Sequence, residues 1–414
     1  MKLGLIGHPL GHSWSPQIHG LLIHEEYAKW NLAEDELADF MKQKDFDGIN
    51  VTIPYKQAVM PYLDELDLAA EKIGAVNCVV NQQGRLKGYN TDYLGFAGML
   101  QANHIDVVGK KIAMLGTGGA SRAVKYALDK AGAHVQAVSR KERPGCITYT
   151  QLAQQAEEYQ GMVNVTPVGM YPNTEESAVD LAPFNHLEFV IDIVANPLRT
   201  KLMFDAKMKG IRTLGGFEML VRQAYSADEL FIGHRLEPSQ VNTCMNALYH
   251  QMRNIVLIGM PTSGKTTLAE KLSYVTRRPV VEMDDEIEKK LGTSIKECFA
   301  EKGEAYFRQV EQETAQQLRT ASGVIISCGG GVVTNDRTMR ALSENGIVVW
   351  IQRDLKHLFS TDSRPLSGNE EYMKQLYESR KDLYQKYSDV TIINDDQKEE
   401  AVAKICEAVG ERIL

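Results

Sequence analysis

The sequence has no uninterrupted run of eighteen or more apolar residues, so it offers no stretch able to cross a bilayer as a helix. Its opening, MKLGLIGHPLGHS, is broken by His8 and Pro9. That break comes too early for the apolar core of a signal peptide, and a cytoplasmic setting is expected. Cysteine is sparse: Cys78, Cys146, Cys244, Cys298, Cys328 and Cys406 are scattered, with no CxxC pair. This excludes a disulfide framework and the usual zinc spacings, and suits a reducing compartment. An excess of basic charge is also missing. Lys and Arg number 46 against 54 Asp and Glu, a net charge of -8. A general nucleic-acid binder needs a basic face, so that class is set aside, while small anionic substrates held by a few local cations remain open. There is no tandem repeat, no low-complexity segment and no Gly/Ser-rich tether.

What is present is a chain of 414 residues, too long for one ordinary core, and two or three domains are expected. Short apolar runs bounded by glycine alternate with longer helix-like stretches, the pattern of α/β domains with parallel sheets. Strands are expected at KLGLIG, GINVTI and CVVNQQGRLKGYN, then at KIAML, GMVNVTP and EFVIDIV, and again from Asn254. The helix-like stretch PSQVNTCMNALYHQM ends at about Met252, leaving almost no linker before the next strand. A junction this short predicts little hinge freedom.

NIVLIGMPTSGKTTLAEKL carries the most specific signal. Gly259, Gly264, Lys265 and Thr266 fit GxxxxGKT between an apolar strand and a helix. Glycines let backbone N–H groups face phosphate oxygens, the lysine adds charge, and Thr266 can ligate Mg²⁺. Ser263 and Thr267 complete the expected ATP-binding set. Downstream, VVEMDDEIEKKLG puts Glu282 and Asp284 at the end of the next strand, and GEAYFRQVE puts Arg308 on a helix. VIISCGGGVV ends a strand in Gly329, Gly330 and Gly331; STDSRPL and ESRKDLYQKYSD supply Arg364 and Arg380.

In this order, residues 254–414 resemble shikimate kinases. The resemblance implies a nucleoside-monophosphate-kinase-like P-loop fold with a five-stranded parallel sheet and a lid. It implies that Asp284 holds the substrate hydroxyl and can take its proton. Arg308 and Arg380 grip the substrate carboxylate, since guanidinium forks fit carboxylates. The triple glycine lets the backbone approach the ring, and Arg364 closes over the phosphates. Thr266 and Glu282 would hold the metal. Glu282 stands where the family usually has Asp, and His357 where an adenine-stacking Arg is common.

LGTGGAS follows a strand and opens a helix, so Gly116 and Gly118, with Gly119 and Ala120, form a candidate dinucleotide turn; Ser121 replaces the third glycine. An NAD site would carry Asp or Glu about 20 residues on, for the ribose hydroxyls. Here Ser139, Arg140 and Lys141 occupy that strand end. These attract a 2′-phosphate where a carboxylate would repel it, which predicts NADP(H).

The remaining polar residues come in short motifs: Ser13 and Ser15 in GHSWSPQIH, in a loop after a strand; Thr52 and Lys56 in NVTIPYK; Asn77 in GAVN; Asn90 and Asp92 in GYNTDYLGF; Gly216 and Gln223 in GGFEMLVRQA. Hydroxyls, amides, one lysine and one aspartate suit a small polyhydroxylated acid. Over about residues 1–252 these motifs resemble shikimate dehydrogenases. The resemblance implies a substrate domain of residues 1–97 and 215–252, around a Rossmann-type NADP domain of residues 98–214. It implies that Ser13 and Ser15 bind the carboxylate, and Thr52, Asn77, Asp92 and Gln223 the ring hydroxyls. Lys56 and Asp92 are then the catalytic pair, and Gly216 belongs with the cofactor residues. Asn196, Pro197 and Thr200 fit the family; Ala195 stands where it usually has tyrosine.

Together the halves imply consecutive steps, reduction of 3-dehydroshikimate with NADPH and phosphorylation of shikimate with ATP and Mg²⁺. Two other readings stay open. One is a quinate-preferring dehydrogenase half. The other is a degenerate dehydrogenase half kept as a shikimate-binding regulator of the kinase. Neither reading calls for a nucleic-acid or membrane partner.

Overall fold

Among the described residues, seventeen strands form three sheets of six, six and five strands. The computed structural model describes residues 1–11, 13–358, 370–395 and 397–410; Arg364 and the side chain of His357 lie outside the described residues. The chain divides into two units, Met1–Met245 and Asn246–Leu414. The division falls within the Ser239–Met252 helix, where the sequence suggested a break after Met252. Among the described residues, no helix is long and apolar enough to cross a membrane.

The first sheet contains β1 (Leu3–Gly7), β2 (Tyr27–Asn31), β3 (Gly48–Val51), β4 (Glu65–Leu66), β5 (Cys78–Gln82) and β6 (Arg85–Tyr89), in the order β2-β1-β3-β5-β6-β4. All five residues of β1 are buried, as expected of a strand covered on both faces. The sheet is mixed and not purely parallel, because β5 pairs antiparallel with both β3 and β6. Gln83 and Gly84 connect β5 to β6 with φ of 55° and 86°. Two positive φ values in a two-residue loop give the tight hairpin turn that matches strand twist. One face packs Ile6, Ile49, Val51, Tyr55, Val79 and Leu86 together. The other is closed by a later segment, the Gly216–Ile232 helix, whose Ala227 and Phe231 pack on Leu3, Cys78 and Val80. A Cβ on Gly48 would come within 2.3 Å of the Phe231 ring, so helix and sheet meet at closest packing. Burial of that ring is worth about 1.5–3 kcal/mol.

The second sheet contains β7 (Lys111–Leu115), β8 (His134–Ser139), β9 (Cys146–Thr148), β10 (Gly161–Asn164), β11 (Phe189–Asp192) and β12 (Arg212–Gly215). Its order, β12-β11-β10-β7-β8-β9, is parallel throughout. This is the doubly wound arrangement, with the strand order reversing between β7 and β10, where a crevice opens at the carboxyl ends of the strands. The boundary expected at residue 98 lies inside the Asp92–Ala102 helix, which runs unbroken towards β7.

The third sheet contains β13 (Asn254–Ile258), β14 (Val280–Glu282), β15 (Ile325–Ser327), β16 (Gly346–Gln352) and β17 (Val390–Ile393), ordered β14-β15-β13-β16-β17. All pairs are parallel, as the sequence predicted. Ile255, Leu257, Val349 and Ile351 bury against Leu268 and Leu272 of the Lys265–Thr276 helix and Ile405 of the Lys398–Val409 helix.

Candidate active sites

A cavity of about 500 Å³ opens beside the carboxyl ends of β1 and β3. Ser13, Ser15, Thr52, Asn77, Asp92 and Gln223, widely separated in sequence, all line it. Ser13 is in the loop after β1, and its Oγ accepts from the Ser15 N–H at 3.2 Å. Ser15 is not in that loop but is the first residue of the Ser15–Ile23 helix, because Pro16 is well placed in a first turn. Lys56 sits on the short Tyr55–Ala58 helix, and its Nζ donates to Asp92 Oδ2 at 2.6 Å. Their side chains are only 19% and 12% exposed, so the pair is screened less than a surface pair.

Asn77 holds the other side of Asp92. Its Nδ2 donates to Asp92 Oδ1 at 2.9 Å and to Thr91 Oγ1 at 3.0 Å, while its Oδ1 accepts from the Thr91 N–H at 2.6 Å. Gln223 Oε1 lies 3.4 Å from the same Asn77 Nδ2. The carboxylate is therefore fixed by a cation on one oxygen and an amide on the other. Asn50, which sequence reasoning missed, also lines the cavity; only the pairing of β3 with β1 and β5 brings it there. Ala195 is on the wall as well.

A second cavity, of about 530 Å³, lies at the strand-order reversal of the second sheet. Gly116, Gly118, Ser139, Arg140 and Lys141 line it. Gly116 has φ of 106°, and a Cβ there would come 2.6 Å from Thr166 Cγ2, so the turn demands glycine on both counts. Gly119 and Ala120 are not on the wall; they carry the chain into the Ser121–Lys130 helix. That helix has no side-chain cap at its start. Its first N–H groups are suited to phosphate oxygens. Ser121 turns its hydroxyl back to Gly118 O at 2.5 Å, which keeps the replacement for the third glycine out of the crevice.

Arg143 was missed in the sequence. It lines the crevice and donates to Thr117 Oγ1 at 3.1 Å, so three cationic side chains surround one end. The run RKER held the signal, but Glu142 masked it. The donor set fits a phosphorylated ribose. Gly216, expected beside the cofactor, lies on the wall of the first cavity. It starts the helix that bears Gln223, and a Cβ there would come 2.0 Å from Ile193 O.

Asp192, at the end of β11, connects the walls of the two cavities. Its Oδ1 accepts from Asn164 Nδ2 at 3.0 Å and from the Val194 N–H at 3.1 Å; its Oδ2 accepts from Thr200 Oγ1 at 2.7 Å. Asn164 Oδ1 in turn accepts from the N–H and hydroxyl of Thr166, which lines the second cavity. Burial pushes the Asp192 carboxyl up to about 6, against the pull of its three donors.

In the other unit, the loop from Gly259 to Thr266 joins β13 to the Lys265–Thr276 helix. Gly259 and Gly264 have φ of 149° and 92°, as a phosphate cradle requires. Lys265 is buried and donates to Gly259 O at 3.0 Å and Met260 O at 2.8 Å. Buried Ser263 stands inside the loop, its carbonyl accepting from Asn394 Nδ2 at 2.8 Å. Thr266 Oγ1 reaches Glu282 Oε2 at 3.4 Å, and Thr267 follows on the helix. Burial raises the Glu282 carboxyl above its usual range, and its Oε1 is buried with no hydrogen-bond partner. A hydroxyl and an undersatisfied carboxylate beside a phosphate loop fit a hard divalent cation.

Asp284 is not at the strand end, since β14 stops at Glu282 and the Met283–Leu291 helix begins at once. Its Oδ1 lies against Gly329, only 2.8 Å from where a Cβ would be. Arg308, on the Ile295–Leu318 helix, donates to Glu311 Oε2 at 2.8 Å and Glu304 Oε1 at 3.0 Å. Its guanidinium covers Gly331, where a Cβ would be 2.3 Å away. Arg380 donates to Gly330 O at 3.1 Å. The triple glycine thus brings Asp284, Arg308 and Arg380 onto one loop. Among the described residues, no cluster of three or more His, Cys, Asp or Glu forms a metal site.

Both parts of the chain are similar to known proteins. The family model described as the shikimate dehydrogenase substrate binding domain matches residues 5–79, and that described as shikimate kinase matches residues 261–410. A shikimate dehydrogenase (NADP(+)) of Clostridium perfringens is 38% identical over 259 residues, which cover 58% of this chain and 95% of the relative. The crystal structure of a chorismate mutase/shikimate 5-dehydrogenase fusion protein from Clostridium acetobutylicum aligns with a TM-score of 0.57 at 32% identity, over 59% of this chain and 96% of that one. A Thermus thermophilus shikimate 5-dehydrogenase in complex with NADP(H) and shikimate aligns with a TM-score of 0.55 at 32% identity, over 60% and 99%.

Proposed function

Because the chain belongs to the shikimate dehydrogenase family and carries a shikimate kinase domain behind it, we propose that one polypeptide performs two successive reactions. It reduces 3-dehydroshikimate to shikimate with NADPH, and then phosphorylates shikimate at its 3-hydroxyl with ATP and Mg²⁺. We assign acid recognition to residues 1–97 and 215–252, the dinucleotide to residues 98–214, and phosphoryl transfer to residues 254–414. Enzyme and substrates are placed in the cytoplasm, with no nucleic-acid partner.

The observation that carries the first activity is the 2.6 Å contact of Lys56 with Asp92, which itself lines a cavity walled by hydroxyls and amides. NADPH, when bound, supplies the hydride. The Lys56 ammonium then stabilises charge growing on the carbonyl oxygen and delivers the proton, while Asp92, held by Asn77, orients the lysine. Ser13 and Ser15 take the substrate carboxylate; Thr52, Asn77 and Gln223 take its hydroxyls. Ser139, Arg140, Lys141 and Arg143 select the phosphorylated ribose.

For the second activity, the Gly259–Thr267 segment holds the triphosphate, with Thr266 and Glu282 on Mg²⁺. Asp284 positions the attacking hydroxyl and takes its proton. Arg308 and Arg380 hold the carboxylate, and positioning with charge stabilisation does most of the catalytic work. The test is incubation with 3-dehydroshikimate, NADPH and MgATP. Shikimate 3-phosphate is the expected product, and its absence from well-folded protein overturns the proposal. Turnover of quinate with NAD, or shikimate phosphorylation without shikimate-dependent NADP⁺ reduction, would select one of the two other readings.

A further inference from the structure

Below the acid cavity lies an ionisable pair that the chemistry above leaves unused. His19 Nδ1 donates to Asp228 Oδ1 at 2.6 Å, and both side chains are 0% exposed. Placing such a pair out of water has a desolvation cost that apolar side chains of similar volume would avoid. Helix contact alone does not explain it, because Ile18, Leu22, Ala227 and Phe231 are already buried on the same two helices.

The groups joined by the pair suggest its purpose. His19 follows Ser15 by four residues on the Ser15–Ile23 helix, about one turn. Asp228 follows Gln223 by five on the Gly216–Ile232 helix. Tyr27, on β2, stacks flat on the His19 ring, with centroids 4.1 Å apart and planes at 7°. The Tyr27 hydroxyl donates to Asn50 Oδ1 at 2.6 Å, and Asn50 Nδ2 donates to the Asn77 carbonyl at 3.2 Å. Ser15, Gln223 and Asn50 all line the acid cavity. They come from two helices and a strand: His19 and Asp228 join the two helices, and Tyr27 links the imidazole to Asn50.

Apolar packing brings two helices together but leaves rotation about each axis weakly determined. A short hydrogen bond and a stacked ring fix that rotation, because both are directional. We propose that His19, held by Asp228 and faced by Tyr27, is the positioning residue of the acid cavity, setting where Ser15, Gln223 and Asn50 meet the substrate. The inference rests on the assignment of this cavity to the acid.

The test uses the full chain and three variants. Tyr27→Phe removes only the hydroxyl. His19→Asn keeps an N–H near the Nδ1 position but loses the ring. The double change His19→Phe with Asp228→Leu removes the pair without leaving a lone buried charge. Measured for each are kcat, KM for shikimate, KM for NADP⁺, and kinase turnover of the same molecule. Tyr27→Phe and the double variant should raise the shikimate KM roughly two- to thirteenfold, the worth of about one hydrogen bond. KM for NADP⁺ and kinase turnover should stay unchanged, and His19→Asn should lie nearer wild type than the double variant. An unchanged shikimate KM in the folded double variant overturns the inference, as does an equal rise in both KM values. Failure of the wild type to oxidise shikimate at all would instead defeat the assignment of the cavity.

Discussion

Replacing Asp192 with Asn should remove a pH dependence from stability while keeping the local hydrogen bonds. The Asn oxygen can accept from Asn164 Nδ2 and the Val194 N–H as Asp192 Oδ1 does. Its amide can donate to the Thr200 hydroxyl, which only has to reverse its own bond. What disappears is the charge. Asp192 rises from 3.8 to about 6 on folding, mainly through burial. The folded state therefore binds the proton more tightly than the unfolded chain. The contribution of this group to stability is full below about pH 3.8 and is lost as pH rises through about 6. At about 1.36 kcal/mol per pKa unit the total is roughly 3 kcal/mol, with about 1.5 kcal/mol of it lost between about pH 5 and about pH 8. Denaturant unfolding at those two pH values measures it. Fluorescence in a Trp350→Phe background leaves Trp14 and Trp30 to report on the Met1–Met245 unit. The wild type should lose that increment towards the higher pH, and Asp192→Asn should not. Equal pH slopes in the two proteins would refute the reasoning.

Other changes act on the chemistry directly. Lys56→Ala should lower dehydrogenase kcat by about 10²–10⁴-fold, the worth of a general acid, with kinase turnover intact; near-normal reduction of dehydroshikimate would remove Lys56 from the mechanism. Arg140→Ala combined with Arg143→Ala should raise KM for NADP⁺ by roughly tenfold or more and leave KM for NAD⁺ little changed, since charge-assisted hydrogen bonds to the 2′-phosphate are lost. A clear preference of the wild type for NAD⁺ would sink that assignment. Gly331→Ala should displace the Arg308 guanidinium, 2.3 Å from the new methyl, and raise KM for shikimate in the kinase assay by roughly tenfold or more without changing dehydrogenase kinetics.

The residues that could be read from the sequence stand in short contiguous motifs whose chemistry is local. The Gly259–Thr266 loop, the turn at Gly116 and the residues around Lys56 are of this kind, because backbone shape and side-chain type occur together within a few positions. Strand sites in the third sheet were equally plain, since a fully buried parallel strand is a continuous apolar run. The hairpin turn at Gln83 was less visible, since a non-glycine residue at positive φ carries little sequence signal. Ser15 and Asp284 were placed in the wrong local structure because helices here start directly at the motif, without a separating cap. The close approach of Gly216 to the Ile193 carbonyl was not visible in sequence, because the two residues lie on different elements. Asn50, Asp192 and the His19–Asp228 pair were beyond reach for a different reason. Their partners are on other elements, 209 residues apart in the last case, and only the chain path brings them together.

The helix that closes the first sheet follows that sheet by more than a hundred residues of other structure. A nascent chain emerging from the ribosome therefore exposes the Leu3, Cys78 and Val80 face until Ala227 and Phe231 have been made. At about 5–20 residues per second, translating the intervening stretch takes on the order of ten seconds. During that interval the earliest-made sheet has one face open to water and to chaperones, so release from the ribosome before Ile232 should yield an insoluble fragment rather than a smaller enzyme.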